Sequence, residues 1–104
     1  MKRGEVWWAR VPKPIGHRPV VLLSRDAAYA VRASVTVAPL TRTVHDIPVE
    51  VPLGPEDGVA KNCVVNLDDI FTISKSRLDR ILTTLSPPKM ALVDQAIKFA
   101  LGLG

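Results

Sequence analysis

The chain has 104 residues, 47% of them hydrophobic and only 5% aromatic, which is enough for one small domain with an aliphatic core. Fourteen lysine and arginine residues against ten acidic ones give a net charge of +4, which favours an anionic partner only weakly. The single cysteine, Cys63, excludes an internal disulfide, and no apolar run is long enough to cross a membrane. We expect one domain over residues 1–104, located in the cytoplasm, with Cys63 as a buried and unreactive thiol.

The first half of the chain predicts three strands separated by irregular segments. Residues 4–9 (GEVWWA) are rich in β-forming residues. Residues 18–24 (RPVVLLS) are apolar on both faces, which is typical of a central strand. Two prolines and a glycine between these strands indicate a loop. A connection (RDAAYAVRA) with at most one helical turn leads to a third strand over residues 34–41 (SVTVAPLT).

The second half predicts two shorter strands and a basic segment. Residues 47–53 (IPVEVPL) contain Pro48 and Pro52, which favour an edge strand where no ladder donor is missed. The sequence GPEDG forms a turn, and residues 63–68 (CVVNLD) form a further strand, with IFTIS as its short extension. The basic sequence SKSRLDRI predicts one short helical turn.

The C-terminal segment has the pattern of an amphipathic helix. Ser86 is suited to the N-cap and Pro87 to the first helical position, and Gly102 ends the helix. Apolar residues at helical spacing give a broad face that packs on its own domain or meets a partner; the first is the commoner arrangement. Consecutive short strands without alternating helices predict a mostly β (α+β) fold, a small antiparallel barrel of five or six strands.

Arg18 opens the second predicted strand, in the stretch GHRPVVLLS. Pro19 restricts Arg18 to an extended backbone, and a rigidly held guanidinium can bind a phosphate through two parallel hydrogen bonds. A solvated arginine at a strand end is the common alternative. Thr41, at the end of the third strand, can donate to a phosphate oxygen or satisfy a nearby backbone group.

Other polar residues leave the chemistry open. His17 and His45 are the only histidines, and either can exchange a proton near neutral pH, although His45 fits a solvated loop better. Asn66, Asp68 and Asp69 end a predicted strand, where they can carry protons, read base edges or simply form a turn. The chain lacks a phosphate-binding glycine loop, a zinc-protease motif and a hydrolase serine motif. We therefore expect no metal and no cofactor.

Six stretches follow one another in the order typical of one known family: RGEVWWARV, GHRPVVLLS, VTVAPLT, PVEVPL, DGVAKNCVVNLDDIFTIS and LSPPKMALVDQAIKFALGL. Over nearly its whole length the chain resembles the MazF/PemK/Kid family of toxin endoribonucleases from bacterial toxin–antitoxin pairs. The resemblance implies an SH3-like barrel with a C-terminal helix, and a homodimer. It also implies metal-independent cleavage of single-stranded RNA, and a cognate antitoxin whose tail occupies the RNA site.

The resemblance also implies roles for individual residues. Arg18 matches the catalytic arginine of the family, and Thr41 matches its strand-end threonine. The other polar residues near these strand ends are expected to bind substrate: His17, Arg42, Asn66, Asp68 and Asp69. Asn66 stands where some members carry an arginine, and the short loop before Arg18 lacks the acid found in many members. The cleaved sequence and the proton-transfer groups therefore stay open.

Three functions are compatible with the sequence. The first is a toxin that cleaves single-stranded RNA and leaves a 2′,3′-cyclic phosphate. The second is a CcdB-like toxin of the same barrel class that poisons a topoisomerase, a task that needs no phosphate site. The third is a nucleic-acid-binding barrel without catalysis. The arginine and threonine at the strand ends favour the first.

Overall fold

A computed structural model describes all 104 residues and contains one seven-stranded antiparallel sheet and two helices. The strands are β1 (Glu5–Arg10), β2 (His17–Leu22), β3 (Ser34–Thr41), β4 (Glu50–Leu53), β5 (Cys63–Asn66), β6 (Phe71–Ser74) and β7 (Leu78–Thr84). The helices are α1 (Ala28–Val31) and α2 (Pro87–Ala100). The predicted mostly β fold with a C-terminal helix is confirmed. Neither helix has the length and apolar character needed to span a membrane.

The strands lie in the order β4-β5-β3-β2-β1-β7, and β6 pairs with β3. Strand β3 is the centre of this arrangement. One of its edges pairs with β2, while the other pairs first with β6 and then with β5. Strand β2 lies between β1 and β3, as its two apolar faces predict. Strand β4 lies at an edge, as Pro52 predicts, but it begins at Glu50 rather than residue 47, so Pro48 lies before it.

Strand β7 was not expected from the sequence. The basic segment contains a 3-10 turn at Lys75–Arg77, but it continues directly into β7, which pairs with β1. An edge strand is exposed along one side and therefore tolerates charged residues such as Asp79 and Arg80, which hide the strand pattern. Strand β6 is likewise separate, because a 3-10 turn at Leu67–Asp69 divides it from β5.

Two apolar layers cover the two faces of the sheet. On β2, Val21 belongs to the layer that α2 covers, whereas Val20 and Leu22 belong to the layer that contains Tyr29 of α1. We call these two surfaces the helix face and the Tyr29 face. Because side chains alternate along a strand, polar residues that are neighbours in a strand also point to opposite faces of the sheet.

Helix α2 packs through one side only. The Ser86 hydroxyl accepts a hydrogen bond from the Lys89 amide at 3.3 Å, and Pro87 opens the helix, as predicted. Val93 and Ala96 are buried, whereas Phe99 is 62% exposed. The prediction that the helix packs on its own domain is thus confirmed for part of its apolar face. The rest of that face is exposed to solvent.

Tyr29 makes the stability of the fold decrease as the pH rises in the alkaline range. Burial, reinforced by the negative charge of Asp26, raises the pKa of Tyr29 from 10.0 to about 12. The folded state therefore favours the neutral phenol, and this contribution is present below pH 10 and is lost as the pH rises through 12. The total loss is about 3 kcal/mol in the free energy of unfolding.

We expect Tyr29→Phe to remove most of this alkaline loss. The Tyr29 hydroxyl is buried without a hydrogen-bond partner, so its removal should leave stability at pH 7 unchanged or slightly higher. Urea unfolding at pH 7 and at pH 11 measures both effects. Tyr29 is the only tyrosine, so absorbance titration of the wild type reports its pKa directly. A midpoint near 10 would contradict the assignment.

Candidate functional site

Arg18 stands out because its guanidinium has no partner. Gly16, at φ +75°, makes the turn that leads into β2. The Arg18 Nε atom is buried without a hydrogen-bond partner, and Arg18 makes no ion pair, whereas Arg3 and Arg10 each contact an aspartate. A half-buried guanidinium with an unsatisfied donor can bind an oxyanion without breaking any hydrogen bond that the fold already makes.

Thr41 lies at the end of β3, and Arg18 lies at the start of the neighbouring strand β2. The β2–β3 ladder runs from Leu22–Val37 to Val20–Pro39, so Arg18 and Thr41 lie two residues beyond its end. Thr41 also lines the groove described below. The Thr41 hydroxyl oxygen accepts a bond from the Thr43 amide at 3.2 Å. Its hydroxyl proton remains free to donate to a ligand.

Asn66 lies on the same side of the sheet as Thr41 but is engaged in a turn. Thr41 pairs with Val64, and Asn66, two residues along β5, points to the same side. The Asn66 side chain accepts from the Asp68 amide at 2.9 Å and donates to the Asp69 carboxylate at 3.0 Å. The three residues therefore form one local turn, and no hydrogen bond joins them to Arg18 or Thr41.

His17 lies on the helix face, opposite to Arg18. Its ring centroid is 4.9 Å from that of Trp8, and its Nε2 atom is 3.2 Å from Asp79 Oδ2. Asp79 also accepts a hydrogen bond from Arg10 at 2.8 Å. The sheet thus separates His17 from Arg18, although they are neighbours in sequence. His45 lies in the exposed loop before β4, where its amide donates to Glu50.

A groove of about 630 Å³ lies on the helix face beside these strand ends. Its floor is a row of side chains that crosses four strands: Arg80 pairs with Trp8, Trp8 pairs with Pro19, and Leu40 lies next to Pro19. The wall is formed by residues 55–61. We call this the cationic groove, because three basic side chains and no acidic side chain line it. The lining residues are Trp8, Pro19, Leu40, Thr41, Arg42, Pro55, Gly58, Val59, Ala60, Lys61, Cys63, Arg80 and Leu82.

The wall of the cationic groove is anchored to β7 and α2. The Thr83 hydroxyl donates to the Asp57 carbonyl at 3.1 Å. The Asp57 carboxylate accepts from the Gly54 amide at 2.9 Å and lies 3.5 Å from the Lys89 amine. Gly58 adopts φ +91°, and a Cβ atom added there would lie 2.7 Å from the Thr83 Cβ. The wall therefore has a fixed position relative to the floor.

Cys63 lines the cationic groove but is not suited to nucleophilic chemistry. It is buried, as predicted, and burial, followed by the charge of Asp57, raises the pKa of its thiol above 9.0. The thiol is therefore neutral near pH 7. No three histidine, cysteine or acidic side chains are grouped so that they could hold a metal ion.

Sequence reasoning missed three residues of the cationic groove. In the sequence, Trp8 is recognisable only as part of a strand, although alternation directs it away from Trp7. Arg80 was hidden because β7 was not predicted. Lys61 lies in an irregular segment and gives no local signal. Arg42, which was predicted, lines the groove next to Thr41.

Comparison with known proteins identifies close relatives. The model of the PemK-like, MazF-like toxins of type II toxin–antitoxin systems matches residues 2–101. The probable endoribonuclease MazF2 of Mycobacterium tuberculosis is 37% identical over 103 residues, which cover 98% of this chain and 99% of the relative.

Solved structures share the fold over nearly the whole chain. The Mycobacterium tuberculosis toxin MazF-mt6 is 30% identical with a TM-score of 0.89, and the match covers 96% of this chain and 98% of that toxin. An endoribonuclease in complex with its cognate antitoxin, from a mycobacterial species, is 31% identical with a TM-score of 0.87. That match covers 100% of this chain and 97% of the other.

Proposed function

The chain belongs to the PemK-like, MazF-like toxin family of type II toxin–antitoxin systems, and we propose that it cleaves single-stranded RNA in a site centred on Arg18. The family match confirms the resemblance predicted from the sequence. Relatives with endoribonuclease in their names cover almost the whole chain. This chain is the toxin of a toxin–antitoxin pair. Its cleavage of RNA stops translation and growth until the antitoxin binds.

The unpaired guanidinium of Arg18 is the observation that supports this function best. Its Nε atom is buried with no acceptor, and Thr41, at the adjoining end of β3, has a hydroxyl proton to donate. Together they offer several donors to one phosphate at these strand ends, as a phosphodiester requires. A topoisomerase-binding surface would need neither group.

The reaction follows from the chemistry of RNA. The 2′-oxygen attacks the adjacent phosphorus and loses its proton, the bond from phosphorus to the 5′-oxygen breaks, and that oxygen gains a proton. The products are a 2′,3′-cyclic phosphate and a 5′-hydroxyl. Arg18 stabilises the extra negative charge of the five-coordinate phosphorus, and Thr41 donates to a non-bridging oxygen. His17 lies on the other face of the sheet and is therefore not placed to carry either proton.

The remaining predicted residues fit substrate binding at the periphery. Arg42 follows Thr41 and adds positive charge where the RNA backbone would continue. Asn66 faces the same side as Thr41, and its amide could bind a splayed base if the turn with Asp68 and Asp69 opened. His17 lies at the rim of the sheet, near the start of β2. The cytoplasm is the compartment in which this activity meets RNA.

The test is cleavage of RNA in the absence of metal. We expect purified protein, incubated with a long single-stranded RNA in excess EDTA, to produce discrete fragments that end in 2′,3′-cyclic phosphates. Mapping the ends gives the recognition sequence. RNA that stays intact but bound would favour a non-catalytic nucleic-acid-binding barrel. If RNA is neither bound nor cut and the protein inhibits the supercoiling activity of a topoisomerase, the protein-binding toxin would be favoured.

The proposed homodimer is supported by the open side of α2. Leu92 and Phe99 of α2 line a second groove of about 310 Å³ with Pro48 and Pro52 next to β4. Phe99 and Leu101 are more than half exposed, and such a patch on a small domain usually marks an interface. We expect Phe99→Asp to shift the protein from dimer to monomer in analytical ultracentrifugation. Lys98→Asp, at an exposed neighbouring position, is the control; an unshifted Phe99→Asp dimer would contradict this surface.

A further inference from the structure

We propose that Glu50 is a positioning residue for the RNA site, a role that rests on the proposed function. Residues 42–48 form the loop that joins Thr41, at the end of β3, to β4. The Glu50 carboxylate holds this loop in the shape that presents Arg42 to the RNA backbone. Glu50 acts through the backbone of the loop and does not touch the substrate itself.

Glu50 is unusual because it is a buried charge without a counter-ion. It is the only charged side chain among the 29 buried residues, and it makes no ion pair. Its Oε2 atom is buried without a hydrogen-bond partner, which costs free energy that an apolar side chain at this position would not cost. The bonds made by its other oxygen, Oε1, have to offset that cost.

Both bonds of Oε1 are directed at the loop. Glu50 Oε1 accepts a hydrogen bond from the His45 amide and another from the Asp46 amide, each at 2.9 Å. The Glu50 amide donates to the Ile47 carbonyl at 2.9 Å, so one residue closes the end of the loop through both its side chain and its backbone. Hydrogen bonds to a charged acceptor are roughly twice as strong as neutral ones.

Glu50 supplies the only hydrogen bonds between this loop and a buried residue. Every residue from 42 to 48 is exposed, and the one other bond of the loop runs from the Thr43 amide to the Thr41 hydroxyl oxygen. Asp46 has φ +54°, a left-handed conformation that few residue types adopt unless nearby contacts hold them there. The Glu50 carboxylate is therefore the contact that fixes the shape of the loop.

Arg42 depends on this anchor. Only Thr43 and Val44 separate Arg42 from the two anchored amides, and Arg42 lines the cationic groove without an ion pair of its own. Arg18 and Thr41, in contrast, lie in strands β2 and β3, whose pairing does not involve the loop. Loss of the anchor should therefore weaken RNA binding through Arg42 and leave the chemical step almost unchanged.

Steady-state cleavage of a short single-stranded RNA that carries the mapped sequence, in excess EDTA, tests this inference. We expect Glu50→Ala to raise KM at least about tenfold, with kcat within about threefold of the wild type. Removing a negative charge should by itself strengthen the binding of RNA, so a rise in KM has the opposite sign to a general charge effect. A partly unfolded variant would lower the apparent kcat at an unchanged KM.

Further variants separate the two bonds from the charge. Glu50→Gln keeps an oxygen that can accept from both amides, so its KM should stay within about threefold of the wild type, and this holds even if Glu50→Ala folds poorly. Glu56→Ala removes an exposed carboxylate and is the control, which should cleave like the wild type. In Arg42→Ala/Glu50→Ala, KM should stay within about twofold of that of Arg42→Ala, because both changes remove the same contact.

Amide hydrogen exchange measures the anchor without RNA. The His45 and Asp46 amides should exchange at least about tenfold more slowly than the Val44 amide, which makes no hydrogen bond within the chain. This protection should be lost in Glu50→Ala and kept in Glu50→Gln. Equal exchange of all three amides in the wild type would overturn the inference.

The cleavage results distinguish this inference from the proposed function. If the wild type cuts RNA, the inference alone is overturned by an unchanged KM in folded Glu50→Ala, by a Glu50→Gln variant as defective as Glu50→Ala, or by KM effects that multiply in the double variant. Because Glu50 also lines the groove beside α2, a Glu50→Ala protein that sediments as a monomer while the wild type is a dimer would overturn it too. A wild type that never cuts RNA would refute the proposed function, and this inference with it.

Discussion

Replacing Arg18 with alanine is expected to lower the rate of RNA cleavage by about two to three orders of magnitude, as the loss of one key electrostatic donor does in other enzymes. The fold should tolerate the change, because the Arg18 Nε atom has no partner to lose. Single-turnover cleavage of a defined RNA, in excess EDTA and with enzyme in excess, measures the chemical step. Thermal unfolding of the same sample checks that the variant is folded.

Arg18→Lys separates charge from geometry. Lysine keeps the positive charge but lacks the planar fork that contacts two phosphate oxygens at once, so we expect activity between that of the wild type and that of Arg18→Ala. Arg32→Ala, at an exposed position after α1, is the control and should cleave like the wild type. Wild-type cleavage by folded Arg18→Ala would end the assignment of the site.

Gly58→Ala is expected to lower the free energy of unfolding by about 2 to 4 kcal/mol, the sum of left-handed backbone strain and overpacking. Gly58 has φ +91°, and a Cβ atom there would lie 2.7 Å from the Thr83 Cβ. Thr83 cannot easily move, because its hydroxyl bonds to the Asp57 carbonyl. The melting temperature should fall by about 10 to 20 °C.

Gly102→Ala isolates the backbone part of that effect. Gly102 also has a positive φ, +70°, but nothing lies within 4 Å of an added Cβ, so its cost should be only about 1 to 2 kcal/mol. If Gly58→Ala also displaces the groove wall, Cys63 should react faster with a thiol reagent than in the wild type. Equal melting temperatures for the two variants would refute the contact with Thr83.

Much of the fold could be predicted because local signals agreed with tertiary structure. Strand β3 occupies the predicted residues, since its apolar side chains are buried on both faces. Helix α2 follows from the Ser86 cap and the Pro87 start. Strand β7 could not be found, because its register with β1 and its position at the edge decide its conformation, and neither is encoded in the local pattern of Asp79 and Arg80.

The candidate site was predictable only in part. Arg18 and Thr41 lie at recognisable strand ends, and the pairing of β2 with β3 brings those two ends next to each other. The cationic groove is assembled from β1, β7 and residues 55–61, which are distant in sequence. Its residues, Trp8, Lys61 and Arg80, carry no shared motif. Only the register of four strands and the anchoring of the wall bring them together.

The position of β3 also determines which part of the protein opens last. Both edges of β3 are occupied, one by β2 and the other by β6 and β5 in succession. Amide protons of its middle residues can exchange with solvent only when the whole sheet separates, so their protection should equal the global free energy of unfolding. Thr41 is therefore attached to the most slowly exchanging segment of the chain, and fraying of the surrounding loops leaves its backbone in place.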